Sequence, residues 1–372
     1  MRVLVAPDKF KGSLSAADVA RAIQRGWCRV DPAVEWDLAP IADGGEGFAE
    51  ALAAASPGGE WVRVGVKDPL GRLVEGRYYR MGDGQVVLDM SEASGLWRLG
   101  SQERNPLKAS TYGTGELIRH AVENGAIGVL IGLGGSATND GGMGMAAALG
   151  YQFLDSGGAE LEAVPENLAK LAGLRRPEGF GMPPVWAACD VGNPLLGERG
   201  ATLVYGPQKG VGEAEMEVLE TGLERLAEVV RDSFGVDYRS EPGAGAAGGI
   251  GFGLLSFCGA NLRSGFELVS EALNLRQRME GSDLVVTGEG RLDGQTLEGK
   301  GPAGVAALAR KCGKKVVAFA GSIGEEAEGA FDMTVPIVDR VVTLEEAMGR
   351  GAEFLERAAW RTARMFAGFK NL

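Results

Sequence analysis

The residues of this chain that could do chemistry collect in short polar stretches that follow apolar runs. The fullest stretch is Gly132-Leu-Gly-Gly-Ser-Ala-Thr-Asn-Asp-Gly-Gly142, directly after Val129-Leu-Ile131. Its glycines, Gly134 and Gly135 among them, remove side chains that would keep a phosphate from main-chain N–H groups, and Ser136, Thr138 and Asn139 add polar side chains. Asn139 or Asp140 can cap the helix expected to begin near Gly141. Lys9, Lys11 and Ser13 offer two cations and a hydroxyl within Pro7-Asp-Lys-Phe-Lys-Gly-Ser13. Asp43 and Glu46 lie among glycines, Asp190 follows a short apolar strand pattern, and Arg291 stands between Glu289 and Asp293. Turns, helix caps and solvated ion pairs would account for each set alone. Taken together, they sit at or near the C-terminal ends of expected strands, where open α/β sheets place ligands.

His120 is the only histidine, and it falls on an expected helix. Ser-His-Asp and Cys-His nucleophile schemes and multi-histidine metal sites therefore have almost no material. Acid–base work is left to carboxylates or lysines. Glycine loops, cations and carboxylates are the parts of phosphoryl transfer, where positioning and charge neutralisation carry most of the rate.

Three further motifs are weaker than they look. Gly243-Ala-Gly-Ala-Ala-Gly248 fits G-x-G-x-x-G but follows Arg239-Ser-Glu-Pro242 instead of a strand, so close packing of a glycine-rich helix is its expected use. Gly294-Gln-Thr-Leu-Glu-Gly-Lys-Gly301 lacks the final hydroxyl of a P-loop, although Lys300 just before Pro302 brings a cation to a helix N-terminus. Gly132-Leu-Gly-Gly-Ser-Ala137 resembles the phosphate loop of the galactokinase and homoserine kinase superfamily, without the pattern that surrounds it there.

The elements that must position these loops alternate in type. A strand over 2–6, a helix opened by Ser15-Ala-Ala-Asp18 with Val19, Ile23 and Trp27 on one face, a strand over 36–41 and a helix over 48–55 begin a parallel, helix-covered sheet. Near residue 60 the pattern changes to an antiparallel meander over 61–66, 73–81 and 85–90. Helices are expected over 115–123 and 145–149, strands over 185–188 and 201–205, and an amphipathic helix over 213–234. A strand over 282–287, a helix over 302–311 and a strand over 315–320 restore the parallel order. The C-terminal part therefore completes the first domain, and the meander domain is an insertion.

A length of 372 residues suits two domains, and 45% hydrophobic with 24% charged residues is a globular composition. Sixty glycines fall in loops between apolar runs. A net charge of −12 disfavours nucleic acid or an anionic membrane as partner, while small anions stay open because local lysines outweigh distant charge beyond a Debye length of about 8 Å. Cys28, Cys189, Cys258 and Cys312 form no C-x-x-C pair, which disfavours a zinc or redox site. No signal-peptide run or membrane-length apolar stretch is found, so a cytoplasmic protein is expected.

The ordered set Ala6-Pro-Asp-Lys-Phe-Lys-Gly-Ser13, Ile41-Ala-Asp-Gly-Gly-Glu-Gly47, Thr111-Tyr-Gly-Thr-Gly-Glu116, Gly132 to Gly142, Ala188-Cys-Asp190 with Asn193-Pro-Leu195, Gly206-Pro-Gln-Lys-Gly210, Pro242 to Gly249 and Thr287-Gly-Glu-Gly-Arg-Leu-Asp293 resembles the bacterial glycerate kinase family, of the glycerate 2-kinase type. The resemblance implies phosphorylation of the small molecule D-glycerate by ATP and Mg²⁺, on the 2-hydroxyl. It implies an α/β protein of two domains with the active site in the cleft between them. One is a flavodoxin-like parallel-sheet domain from 1–60 and 275–372, and the other an inserted mixed α/β domain over 61–274. On this basis Lys9, Lys11, Ser13, Asp43 and Arg291 are expected to bind substrate. Gly134, Gly135, Ser136, Thr138, Asn139 and Lys300 are expected to bind the nucleotide. Asp190 and Asp293 are the candidates for catalytic base and for Mg²⁺, with the two roles undivided. A glycerate 3-kinase, another hydroxy-acid kinase and a non-catalytic metabolite-binding protein are the alternatives, and the oligomeric state is left open.

Overall fold

The structure is a computed structural model that describes every residue except 43, 46, 57, 180, 298–300 and 370–372. Among the described residues the strands are β1 (Arg2–Val5), β2 (Glu35–Leu38), β3 (Glu60–Lys67), β4 (Leu73–Arg80), β5 (Gln85–Asp89), β6 (Gly128–Gly132), β7 (Gln152–Leu154), β8 (Gly173–Arg175), β9 (Val185–Ala188), β10 (Asn261–Arg263), β11 (Leu284–Leu292), β12 (Val316–Ile323) and β13 (Met333–Pro336). The chain divides into two compact units, Met1–Asp43, Glu50–Pro57 and Gly265–Leu372 making one, and Gly44–Ala49 and Gly58–Ser264 the other.

The first unit is a five-stranded sheet in the order β13-β12-β11-β1-β2, parallel throughout. This is the flavodoxin-like order, with β11 to β13 standing third to fifth. Val3, Leu4 and Val5 are fully buried, as expected of a central parallel strand covered on both faces. The helix Ala16–Cys28 starts where its capping signal places it, with the Asp18 N–H donating to Ser15 Oγ at 3.1 Å. Its Val19, Ile23 and Trp27 join Val286, Phe319, Phe354 and Leu355 in one core. Burial of each such side chain contributes roughly 1.5–3 kcal/mol.

The second unit holds a six-stranded mixed sheet, β10-β9-β6-β5-β4-β3. The meander β3-β4-β5 is antiparallel, while β5, β6, β9 and β10 run parallel. β7 and β8 pair separately, in a stretch whose sequence carries little pattern. The helix Glu213–Phe234 has the expected bounds, buries Leu219, Leu223, Leu226 and Val230, and ends at Gly235 in a left-handed conformation.

Several boundaries move by a few residues, as helix and strand ends usually do. One assignment is wrong in type: residues 201–205, expected as a strand, form the helix Ala201–Tyr205. Thr202, Val204 and Tyr205 favour strands, but tertiary contacts override that preference. Ala201 and Thr202 are buried, and Thr202 Oγ1 accepts from Asn139 Nδ2 at 3.0 Å.

Candidate active site

In the first unit the strand order turns at β1 and β11, whose chain continuations lie side by side. Thr287 Oγ1 donates to the Ala6 carbonyl and the Asp8 N–H to the Gly288 carbonyl, both at 2.8 Å. A Cβ on Gly290 would lie 3.4 Å from the Lys11 nitrogen, an ordinary contact distance, so the segment after β1 runs alongside β11 there. The structure thus brings Lys9 and Lys11 beside β11, at the switch point where a doubly wound sheet takes its ligand, while Ser13 turns to the segment 348–351. Asp8 is buried with its carboxylate close to Gly301, the first residue of the helix Gly301–Lys311. That position suits an anion.

Ser13 Oγ donates to the Met348 carbonyl at 2.6 Å, which leaves the hydroxyl able to accept but not donate elsewhere. Arg291, three-quarters exposed, pairs with Asp293 across 3.0 Å. Thr296 Oγ1 donates to Glu289 at 2.6 Å and accepts from the Asp293 N–H at 3.1 Å. Asp43, Glu46 and Lys300 lie outside the described residues.

In the second unit, the parallel strands β5, β6 and β9 end together, and three loops meet there. The Leu133 N–H donates to the Gly44 carbonyl at 3.1 Å, and Gly44 packs so closely on β9 that a Cβ would lie 2.7 Å from that of Ala188. Asp89, at the end of β5, accepts from the N–H groups of Gly47 and Ala49 at 3.1 and 3.3 Å. Asp190 follows β9, half-buried, and the turn behind it is fixed by Asn193. Asn193 donates to the Arg199 carbonyl and accepts from Tyr205 Oη, each at 2.8 Å.

The glycine loop leaves β6 and is pinned from below. Asp140, completely buried, accepts from the Thr111 N–H and Oγ1 at 2.8 Å and from the N–H groups of Gly142 and Gly144 at 3.0 and 3.1 Å. Burial raises its pKa above the ordinary value while the four bonds oppose the shift. All four partners donate, an arrangement that fits the carboxylate. The helix Met143–Ala148 has Gly142 at its N-cap, not Asn139 or Asp140 as expected, but Asp140 still occupies that end: its carboxylate takes the Gly142 and Gly144 N–H groups, its carbonyl that of Met143, and Thr111 Oγ1 that of Met145.

The N–H groups left open lie between Gly134 and Asp140, and those a ligand can reach are at Gly134 and Gly135. Those of Leu133, Ala137 and Gly141 are bound to the carbonyls of Gly44, Ser94 and Gly248. Those of Gly134, Gly135, Ser136, Thr138, Asn139 and Asp140 have no acceptor among the described residues; Ser136 and 138–140 are buried, and Gly134 and Gly135 form the accessible tip. Thr138 Oγ1 and Asn139 Oδ1 are buried and also lack a partner among the described residues.

The motif that mimicked a dinucleotide fingerprint braces the loop. Ala247, Gly248 and Gly249 are all left-handed inside the helical segment Ala246–Cys258. Gly141 N–H donates to the Gly248 carbonyl at 3.1 Å, and a Cβ on Gly249 would sit 2.9 Å from Gly141 Cα. Close packing of glycines is thus its use.

Lys209 is a residue whose importance the sequence does not announce. It is only 1% exposed, and its Nζ donates to Ser136 Oγ and to the Thr138 carbonyl, both at 2.7 Å. Burial pushes its pKa down to about 7, against the pull of the Asp140 charge. It belongs to Gly206-Pro-Gln-Lys-Gly210, quoted above only as a family motif. A lysine in a short polar loop reads as solvated, and the useful signal was that the glycine loop carries no cation of its own.

Among the described residues no three His, Cys, Asp or Glu side chains group as metal ligands. Mg²⁺ bound with a nucleotide needs only one or two carboxylates beside the phosphates, so Asp190 and Asp293 fit that donor chemistry. Among the described residues no helix is long and apolar enough to cross a membrane.

Known proteins are similar to this chain in sequence and fold along its whole length. Residues 3–367 fit the family model described as the glycerate kinase family. A glycerate kinase of Halalkalibacterium halodurans is 44% identical over 96% of both chains, and a glycerate 2-kinase of Escherichia coli K12 is 41% identical over the whole of both. The crystal structure of a Salmonella typhimurium LT2 protein described as a glycerate kinase 2 is 40% identical, covers both chains completely and superposes with a TM-score of 0.91. The chain belongs to the glycerate kinase family.

Proposed function

We propose that this kinase transfers a phosphoryl group from ATP, with Mg²⁺, to the 2-hydroxyl of D-glycerate, giving 2-phosphoglycerate. The observation that carries the reading is the end-to-end similarity to a relative named glycerate 2-kinase. The loop geometry supports it: open N–H groups at Gly134 and Gly135 on one unit, and cations at a switch point on the other. The reading assigns work to both units.

In this proposal Lys9, Lys11 and Arg291 neutralise the glycerate carboxylate and the phosphates, with Ser13 and Asp43 contributing to substrate binding. Gly134, Gly135, Ser136, Thr138 and Asn139 cradle phosphate, and Lys300 adds a cation. Asp190 and Asp293 are the groups that take the hydroxyl proton or hold Mg²⁺, which when bound draws charge from the phosphate oxygens.

The test is incubation of the protein with D-glycerate, ATP and Mg²⁺, followed by phosphorus NMR of the product. A 2-phosphoglycerate signal is expected. A 3-phosphoglycerate signal would replace the 2-kinase reading with a 3-kinase, and absence of turnover would leave a metabolite-binding protein.

A further inference from the structure

We infer that Lys209 is a positioning residue for phosphate: from its buried position against the glycine loop it fixes Ser136 and Thr138 and sets a positive charge near the tip at Gly134 and Gly135. The inference rests on the reading of that loop as the phosphate site.

A buried lysine is costly, because the ammonium loses its water. A salt bridge would be the ordinary compensation, but Nζ instead donates to a neutral hydroxyl and a carbonyl, both on one loop. The two acceptors bracket Ala137, and the N–H groups of Ser136 and Thr138 themselves, like those of Gly134 and Gly135, have no acceptor among the described residues. Lys209 therefore contacts the loop at its buried residues, of which Ser136 directly follows the accessible tip. A structural role alone would not need a charge here. A neutral donor would satisfy the same hydroxyl and carbonyl at lower desolvation cost.

The surrounding segments offer few other charges. Asp140 on the loop raises the Lys209 pKa, and its carboxylate is itself held by four donors. Tyr205, at the end of the preceding helix, is bound to Asn193; Arg104 donates to the Gln208 carbonyl; and Glu215 accepts from the Gly212 N–H. Poised near neutrality by burial, Lys209 gains a proton when an anion settles on the loop, since the anion favours the charged form. Phosphate binding and proton uptake are then linked. The phosphate could be that of the nucleotide or the group on phosphoglycerate, and the chemistry of recognition is the same.

The test compares the wild-type chain with Lys209→Met, which keeps length and volume but removes charge and donors. Turnover of the wild type is established first. No turnover there removes the kinase reading; turnover with an unaltered variant removes this inference alone. The variant is expected to raise KM for ATP about 10–100-fold with KM for glycerate within about twofold, if the loop holds nucleotide. If the loop holds the transferred group, affinity for 2-phosphoglycerate falls instead and that for a non-hydrolysable ATP analogue stays. In either case the inflection near pH 7 in the affected parameter disappears. Calorimetry on the wild type at pH 8, in buffers of different ionisation enthalpy, reads the proton directly and does not depend on the variant folding. Uptake on binding the analogue or 2-phosphoglycerate is expected. No uptake with either ligand, or a folded variant with unchanged constants and pH profile, would overturn the inference.

Discussion

Gly248 stands so close to Thr138 that a Cβ added to it would lie 1.8 Å from the Thr138 carbonyl oxygen, the same oxygen that accepts from Lys209. Its φ of +78° also disfavours any residue with a side chain. Two glycine-rich motifs more than a hundred residues apart thus form one contact, and the shape of the glycine loop depends on both.

Gly248→Ala is therefore expected to displace the loop and lower kcat/KM by about 10²-fold, because small misplacements of reacting groups are costly. Gly235→Ala is the control. Gly235 is also left-handed, at φ +72°, but a Cβ there meets nothing within 4 Å. It should cost about 1 kcal/mol of stability and leave turnover unchanged. Steady-state kinetics beside urea unfolding of both variants separates loop shape from backbone strain.

Asp140→Ala leaves four donors inside the second unit without their acceptor. Each unsatisfied buried group costs roughly 1–3 kcal/mol, so a loss of at least about 3 kcal/mol is expected. Asp140→Asn keeps one carbonyl oxygen and should be intermediate. Urea midpoints measure both, and an Asp140→Ala protein as stable as the wild type would refute the pinning role.

Asp190→Asn and Asp293→Asn divide the two carboxylate roles. The variant lacking the base should lose about 10²–10⁴ in kcat, and one lacking a Mg²⁺ ligand should regain activity as Mg²⁺ is raised. Near-normal turnover of either variant at ordinary Mg²⁺ would remove that residue from the candidates.

Lys209 should also make folding stability depend on pH in a definite direction. Its pKa is about 7 in the folded chain against an ordinary 10.5. Between those values the unfolded chain holds a proton that the folded chain lacks, so stability rises with pH across the window. Below it both states are protonated and the slope ends. Wild-type stability minus that of Lys209→Met should climb from pH 7 to pH 9 by up to about 1.4 kcal/mol per pH unit. Urea unfolding of both proteins at several pH values gives this difference, and a flat difference would contradict the shifted pKa.

The parallel order of the first unit was legible because its strands, such as 2–6 and 284–286, are short β-branched runs between helix signals. The helix Glu213–Phe234 was legible because its apolar residues recur at a single period. Ala201–Tyr205 was not, since five residues carry too little periodicity to oppose β-favouring side chains. In the glycine loop, the sequence displayed the glycines but not which N–H groups remain open. That depends on Asp140 turning inward to Thr111, 29 residues away, and on Gly248 closing over Gly141. Lys209 was hidden for a related reason: burial of a lysine is decided by everything packed around it and by nothing in its neighbours along the chain.

The central sheet of the first unit joins the two ends of the chain. β1 pairs with β11 in the register Val3 to Leu284, 281 residues apart. During synthesis β1 and β2 leave the ribosome long before β11, the other neighbour of β1, exists, while 58–264 can already condense around a core of its own. Pairing across an unfolded segment of that length would carry a heavy loop-closure cost, and prior folding of the insertion shortens the effective loop. Assembly is accordingly ordered, with the flavodoxin-like sheet completed last, and a chain truncated before residue 284 leaves β1 without its central partner.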